Sequence, residues 1–382
     1  MTDPAPQTAA ERRRAREARR AVAVLVVGMT LIGVALGLFA WRLQPPEGDL
    51  ARISGASSRD FGWRGEAEGF ARDHRRELSP QALLRGADPG GVLVFGDSFS
   101  IRHVGGISWI NTLHEATGLE TVFARIDGFG SVMAYLESDA FAARPPRAVI
   151  VQTVERALLA RAAALHDPGA PCAPPAPSAP VSAASEAPLA LPRRSLIRRT
   201  TFESFDELMS WGALAARLRL TGGDEPVLEV GLSRGDLFTH RAADRMLILG
   251  ADVVNHRPPR MRPADPDRAA KALICGLRRL AAAAEGRAPL WVMIAPDKRT
   301  AYDPWIADPL SPRGLDLFPL AREALGPALI DPLPALRAAV EGGTRDVHFP
   351  DDSHWGAAGH RIAGELAARA LTGAAGTVPA AE

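Results

Sequence analysis

A series of short apolar runs, each separated from the next by a helix-like segment, constrains this chain more than any other feature. Residues 92–95, 148–153 and 290–295 are near-continuous apolar stretches, and residues 121–126 and 328–331 add two shorter strand-like segments. A strand with one wet face alternates apolar with polar residues. A strand that is apolar throughout is buried on both faces, as in a parallel sheet. Helical spacing falls between and after these runs, at residues 107–116, 131–141, 265–284, 319–325 and 357–371. Strands that alternate with helices predict an α/β fold with a parallel sheet covered on both faces. Such sheets bind ligands beyond the carboxyl ends of their strands. Ser98, Gly130, Arg156, Lys298 and His354 all fall just after a strand end or in the loop before the last helix. With 382 residues the chain is long enough for one large domain or two small ones.

The N-terminus follows a different pattern. Residues 11–20 hold six arginines, and residues 21–41 carry no charge. A helix needs roughly 20 apolar residues to cross the hydrocarbon core of a bilayer, which residues 21–41 supply. The flanking arginines place the N-terminus in the cytoplasm, and Trp41 suits the far interface. A cleaved signal peptide is the competing reading, but its apolar region would be shorter and a small-residue cleavage site should follow. The length favours an uncleaved anchor, with the rest of the chain outside the cytoplasm, most simply in a bacterial periplasm. Lys+Arg number 45 and Asp+Glu 44, for a net charge of +1, so nothing in the charge points to nucleic acid as a partner.

The expected organisation is a basic arm at 1–20, an anchor at 21–41, a stalk and helical lead-in at 42–85, and one catalytic domain at 86–375. The lead-in helix is expected over about 65–84. Residues 167–192 include eight prolines among many Ala and Ser, the composition of a surface insertion. Residues 200–260 read as a cap region, helical over 200–220, with apolar runs at 227–230 and 246–249 that suit a hairpin. The two cysteines, Cys172 and Cys275, can pair in an oxidising compartment or stay unpaired. Two scattered cysteines make no metal site, and neither a metal nor a cofactor is expected.

Two motifs carry chemistry. Gly96-Asp97-Ser98-Phe99-Ser100 ends the first apolar run and offers a serine at a strand-to-helix turn. Asp352-Ser353-His354-Trp355 precedes the last helix and offers an imidazole with a carboxylate two residues away. A serine hydroxyl becomes a nucleophile when a base takes its proton, and the base in turn needs a carboxylate to orient it. Each motif alone is also compatible with an ordinary turn or helix cap. Together they define a nucleophile, Ser98, a base, His354, and an orienting carboxylate, Asp352; Asp351 is the less favoured alternative. His103, His240, His256 and His348 are lone histidines with no metal-like spacing.

These blocks resemble the SGNH (GDSL-type) hydrolases. Asp352-Ser353-His354-Trp355 is similar to the last block of the alginate O-acetyltransferase-like branch. Further likenesses to that branch are Glu155-Arg156, Leu237-Phe238, and Pro296-Asp297-Lys298 through Tyr302. The resemblance spans roughly residues 91–365. It implies a flavodoxin-like three-layer sandwich with a parallel sheet, a Ser-His-Asp triad and O-acetylation of exported polysaccharides. It also implies a membrane-bound O-acyltransferase as the partner that supplies acetyl groups. It carries the second-block glycine, an oxyanion donor, to Gly130, with Gly128 as fallback, and gives the backbone N–H of Ser98 the same role. The family's third-block Asn is missing here. The strand is followed by Val154-Glu155-Arg156, so Arg156 is the candidate third donor, and a structural salt bridge is its alternative role. Lys298, Tyr302 and Trp355 are candidates for lining the substrate cleft. The serine block precedes the Asp-x-His block, as in ordinary SGNH hydrolases and unlike several alginate-type members.

The expectation is therefore a membrane-anchored O-acetyltransferase working through an acetyl-serine intermediate on a polysaccharide hydroxyl. An acetylesterase that uses water as acceptor shares every residue named. A non-catalytic glycan-binding or scaffold subunit is the reading from outside enzymology, and the missing Asn is what favours it.

Overall fold

The computed structural model describes residues 8–42, 48–50, 66–101, 107–174, 190–197, 227–239, 244–250, 265–308, 310 and 315–373. Their strands are β1 (Glu66–Phe70), β2 (Arg76–Glu77), β3 (Val92–Gly96), β4 (Thr121–Arg125), β5 (Ala148–Val154), β6 (Arg193–Ile197), β7 (Val227–Gly231), β8 (Arg245–Leu249), β9 (Leu290–Ala295) and β10 (Leu329–Ile330). The helices are α1 (Ala9–Arg42), α2 (Pro80–Leu84), α3 (Trp109–Thr117), α4 (Phe129–Leu136), α5 (Asp139–Ala143), α6 (Glu155–Ala163), α7 (Pro266–Ala282), α8 (Lys298–Tyr302), α9 (Leu317–Leu325), α10 (Leu333–Glu341) and α11 (Ala357–Thr372).

The apolar runs pair as expected. Six strands form one parallel sheet in the order β10-β9-β5-β3-β4-β2. The chain enters at the edge with β2, passes to the middle at β3, steps outward to β4, crosses back to β5 and continues to β9 and β10. This reversal puts a topological switch point between β3 and β5, the place where sheets of this type bind ligands beyond the carboxyl ends of their strands. Alternate residues face opposite layers. Val92, Val94, Ile150, Trp291 and Met293 pack beneath α3 and α11. Leu93, Phe95, Val149, Val151, Val292 and Ile294 pack beneath α4, α6, α7 and α9. Every residue of β3, β5 and β9 is buried, which is why these strands carry no polar alternation.

The lead-in departs from expectation. Residues 65–84 were to form one helix, but only α2 is helical there. Pro80 has no N–H to continue a helix from the preceding turn, so it starts one, with Ser79 as its cap. Upstream, β1 pairs antiparallel with β6, and β2 extends the sheet edge beside β4. The two apolar runs of the cap region do form a hairpin, β7 with β8, in the register Val227↔Leu249. The helix expected at 200–220 lies outside the described residues. Cys172 and Cys275 are paired, with their Cα atoms 4.8 Å apart, which joins the start of the Pro-rich insertion to α7.

Helix α1 is 34 residues long, roughly 50 Å at 1.5 Å per residue. Its segment Arg12–Gly37 is long and apolar enough to cross a membrane. Val22, Leu25, Ile32 and Leu36 are each more than half exposed along it. The basic arm is not a separate element from Ala9 onward. Ala, Arg and Glu are good helix formers, and Arg13 pairs with Glu17 at 3.1 Å within the first turns of the same helix.

Candidate active site

The Ser98 turn is built by its neighbours. Gly96 ends β3, and a Cβ there would lie 2.3 Å from Ser100 Oγ, so only glycine lets the chain turn back this tightly. Asp97 caps the single 3-10 turn Ser98–Ser100 by accepting from the Phe99 N–H at 3.2 Å. The same carboxylate accepts from Val154 N–H at 2.8 Å, Gln152 Nε2 at 2.9 Å and Arg161 Nη1 at 2.7 Å. Gln152 Oε1 accepts in return from the Asp97 N–H at 3.1 Å and the Ser100 hydroxyl at 2.7 Å. Asp97 thus locks the turn after β3 to the end of β5, across the switch point, and leaves Ser98 half-buried at the sheet's carboxyl edge.

The second motif lies in a loop that folds back on itself between α10 and α11. Gly356 N–H donates to Val347 O at 2.9 Å, and His348 and Trp355 form an antiparallel bridge. Asp346, with φ of 53°, starts the loop in a conformation that aspartate tolerates better than most residues. Its carboxylate accepts from Thr239 N–H at 3.0 Å and from Thr239 Oγ1 at 2.5 Å. Inside the loop, His354 Nδ1 lies 2.6 Å from Asp352 Oδ1, which also accepts from the His354 N–H at 3.0 Å. A carboxylate on the Nδ1 side fixes the ring's orientation and leaves Nε2 as the ring nitrogen turned away from Asp352. Burial opposes the charged imidazolium, but Asp352, by charge and hydrogen bond, and Asp49 together outweigh it. The His354 pKa is therefore raised, while Arg156 acts against the rise.

The two motifs meet through Phe99. Its ring centroid lies 4.8 Å from that of His354 and 5.0 Å from that of Trp355. The residue next to Ser98 is thus packed against the His354 ring in a tilted arrangement, 51° between planes, although the motifs are about 250 positions apart. Gly128 and Gly130 lie at the carboxyl end of β4, the neighbour of β3. Gly128 caps α4, and Gly130, in its first turn, is exposed. First-turn N–H groups have no partner within their own helix.

Arg156 sits in the first turn of α6, at the end of β5. It pairs with Asp297 at the end of β9 rather than with its neighbour Glu155. Glu155 Oε2 instead accepts from the Asp297 N–H at 3.0 Å. Burial pushes the Asp297 carboxyl up, and Arg156 pulls against that push.

The three residues expected to line the cleft are interior instead. Lys298 is 1% exposed, and Tyr302 and Trp355 are fully buried. Lys298 Nζ donates to Leu247 O at 2.9 Å and Pro350 O at 3.0 Å. Tyr302 Oη accepts from the His348 N–H at 3.2 Å, and its ring stacks on Phe238 at 5.3 Å. Trp355 packs edge-on to Phe99 and His360. All three have the polarity or aromatic surface of cleft residues, but here they hold the loop that carries Asp352 and His354. His348 is also fully buried, and burial and then Lys298 hold its pKa well below the ordinary range. His103, His240 and His256 lie outside the described residues.

The residue that sequence reasoning missed is Asp49. It lies against the Asp352–His354 loop from the segment read as a stalk, and burial, with Asp352 close by, raises its own pKa. Asp49, Asp352 and His354 each offer one ligand atom within 4.8 Å of the others. Both carboxylates also accept hydrogen bonds within the loop, and His354 Nδ1 lies at hydrogen-bond distance from Asp352. A cavity of about 610 Å³ lined by Asp303, Asp316, Phe318, Arg322, Asp331 and Arg337 includes neither Ser98 nor His354. No family model, curated protein or solved structure matches the chain.

Proposed function

We propose that this chain is a membrane-anchored serine acyltransferase of the SGNH type, moving an acetyl group onto a hydroxyl of an exported polysaccharide. The observation that carries this reading is the His354–Asp352 pair at 2.6 Å, with the His354 ring packed at a tilt 4.8 Å from that of Phe99, the residue that follows Ser98. The sheet order supports a flavodoxin-like core, with the serine turn at the switch point.

In the first half-reaction Ser98 Oγ attacks the acetyl carbonyl and passes its proton to His354 Nε2. The oxyanion is met by the N–H groups of Ser98 and Gly130. Arg156, fixed by Asp297, adds a positive charge nearby, which favours negative charge developing there. The donor's leaving group departs with the proton from His354, and acetyl-Ser98 remains. A sugar hydroxyl then gives its proton to His354 and attacks the acetyl carbon, and Ser98 recovers its proton as the new ester leaves. Asp352 holds the imidazole in one tautomer throughout.

The six arginines before the apolar segment favour a cytoplasmic N-terminus. The Cys172–Cys275 pair favours an oxidising compartment for the rest, and the periplasm satisfies both. The implied partner is a membrane-bound O-acyltransferase that delivers acetyl groups to Ser98.

The test uses full-length protein in detergent with a chromogenic acetyl ester, with and without oligosaccharide acceptors. Ser98→Ala is expected to lower kcat by a factor on the order of 10⁴ or more, and acetylated oligosaccharide should appear by mass spectrometry. Hydrolysis indifferent to every acceptor would identify an esterase. A Ser98→Ala variant as active as wild type would leave a non-catalytic subunit.

A further inference from the structure

The segment that follows the membrane helix reads as a stalk, yet residues 48–50 are packed into the catalytic loop. Gly48 is buried against Asp351, and a Cβ there would lie 2.0 Å from the Asp351 carbonyl oxygen, so only glycine permits this approach. The next residue engages three consecutive members of the motif. The Asp49 N–H donates to Asp352 Oδ2 at 3.4 Å. Its carboxylate accepts from the Ser353 N–H at 2.7 Å and from Ser353 Oγ at 2.6 Å. Asp49 Oδ2 lies 3.7 Å from His354 Nδ1. Leu50 is wholly buried with Val227 and Leu247 of the β7–β8 hairpin, which pins the segment on its other side.

We propose that Asp49 is a positioning residue of the active site, so that the base is held in place by the segment connecting the domain to its membrane helix. This rests on the reading of Ser98 and His354 as nucleophile and base. Both Asp49 oxygens accept from Ser353, and these bonds with the nearby His354 favour the ionised carboxylate against burial and Asp352, which raise its pKa. When ionised, Asp49 is a second negative group on the Nδ1 side of the imidazole. The charged groups that bear on His354 are Asp352, Asp49 and Arg156, and the neutral ring of His348 lies nearby. The first two favour the imidazolium and Arg156 disfavours it.

The arrangement also sets where the reaction takes place. Five residues separate Arg42, the end of α1, from Gly48, and the six Cα-to-Cα steps between them reach at most about 22 Å. A site assembled by this segment therefore works close to the membrane surface. Substrates must meet it there, and the acetyl donor need not diffuse through the periplasm.

The experiment compares full-length wild type, Asp49→Asn, Asp49→Ala and Ser98→Ala with the chromogenic acetyl ester across pH. Both Asp49 variants are expected to lose kcat by about tenfold or more, the scale of a hydrogen bond to a charged group, with KM unchanged. The acid limb of kcat/KM, which reports deprotonation of the base in the free enzyme, should move to lower pH. The reason is the sign of the charge: a negative group that favours the imidazolium has been removed. Should Asp49→Ala melt below the assay temperature, Asp49→Asn, which keeps the shape, carries the test alone. Wild-type kcat in the Asp49 variants overturns the proposal. So does a fall in kcat with the acid limb unmoved, because that is the behaviour of a packing residue. If Ser98→Ala is inactive while Asp49→Asn matches wild type, this proposal alone fails. An active Ser98→Ala removes the catalytic reading beneath it.

Discussion

Asp97 shows how much one side chain can organise at a strand end. Its two oxygens serve Phe99, Val154, Gln152 and Arg161, so the nucleophile's turn is tied to two strands before any substrate arrives. Asp97→Ala would leave the Arg161 guanidinium in a nearly buried site without its counter-charge, a loss of about 3–5 kcal/mol when one partner of such a pair is removed. Asp97→Asn keeps an acceptor for Phe99 but still leaves Arg161 unbalanced, and should cost less. Urea unfolding of both variants checks the order, and equal stability of Asp97→Ala and wild type would show that the network does not hold the turn. The pairing of Asp352 with His354, and its approach to the Ser98 turn through Phe99, were legible in the sequence because those residue types and spacings are restrictive. Asp49 was not, because it lies about 300 positions from its partners and follows Pro45-Pro46, which read as a spacer. Lys298, Tyr302 and Trp355 were read as cleft residues because they lie near the motifs in sequence. Sequence proximity does not say whether a side chain points outward or into the support of a loop.

At the scale of elements, strands whose every residue is buried carried the clearest signal, and β3, β5 and β9 appear where the apolar runs place them. Elements set by partners far along the chain did not. β1 and β2 have weak patterns of their own and exist as strands because β6 and β4 pair with them. α6 was missed because it follows β5 with no break and its cap, Val154, supplies no side-chain hydrogen bond, and α10 because Pro334 sits in its first turn, where proline is tolerated. The catalytic loop depends on such long-range support, and Lys298 joins it to β8. Lys298→Met removes the donor to the Leu247 and Pro350 carbonyls and should cost about 1–3 kcal/mol per carbonyl left unsatisfied. The loop carrying His354 would loosen, so kcat should fall while KM for a small ester stays near the wild-type value. Steady-state kinetics beside a thermal melt make the check. A rise in KM alone, with stability intact, would return Lys298 to the cleft.

For the molecule as a whole, the Cys172–Cys275 bond ties the Pro-rich insertion to α7 and closes a loop that holds most of that insertion and the whole cap region. The bond spans 103 positions. In the chain-entropy account, closing a loop of about 100 residues removes denatured-state freedom worth roughly 4–5 kcal/mol. Cys275 lies on α7, which packs against the sheet face opposite α3 and α11, so the bond supports the domain and does not touch the Ser98 or His354 side chains. Stability and chemistry should therefore separate. Reduction, or the double variant Cys172→Ala/Cys275→Ala, is expected to lower the melting temperature by on the order of 10 °C. The kcat on a chromogenic ester, measured well below that melt, should stay near the oxidised value. A melt indifferent to reductant would mean the cross-link adds nothing to the fold. A large loss of activity at low temperature would mean that the insertion and cap reach the site, so that the bond controls access to Ser98 as well as stability.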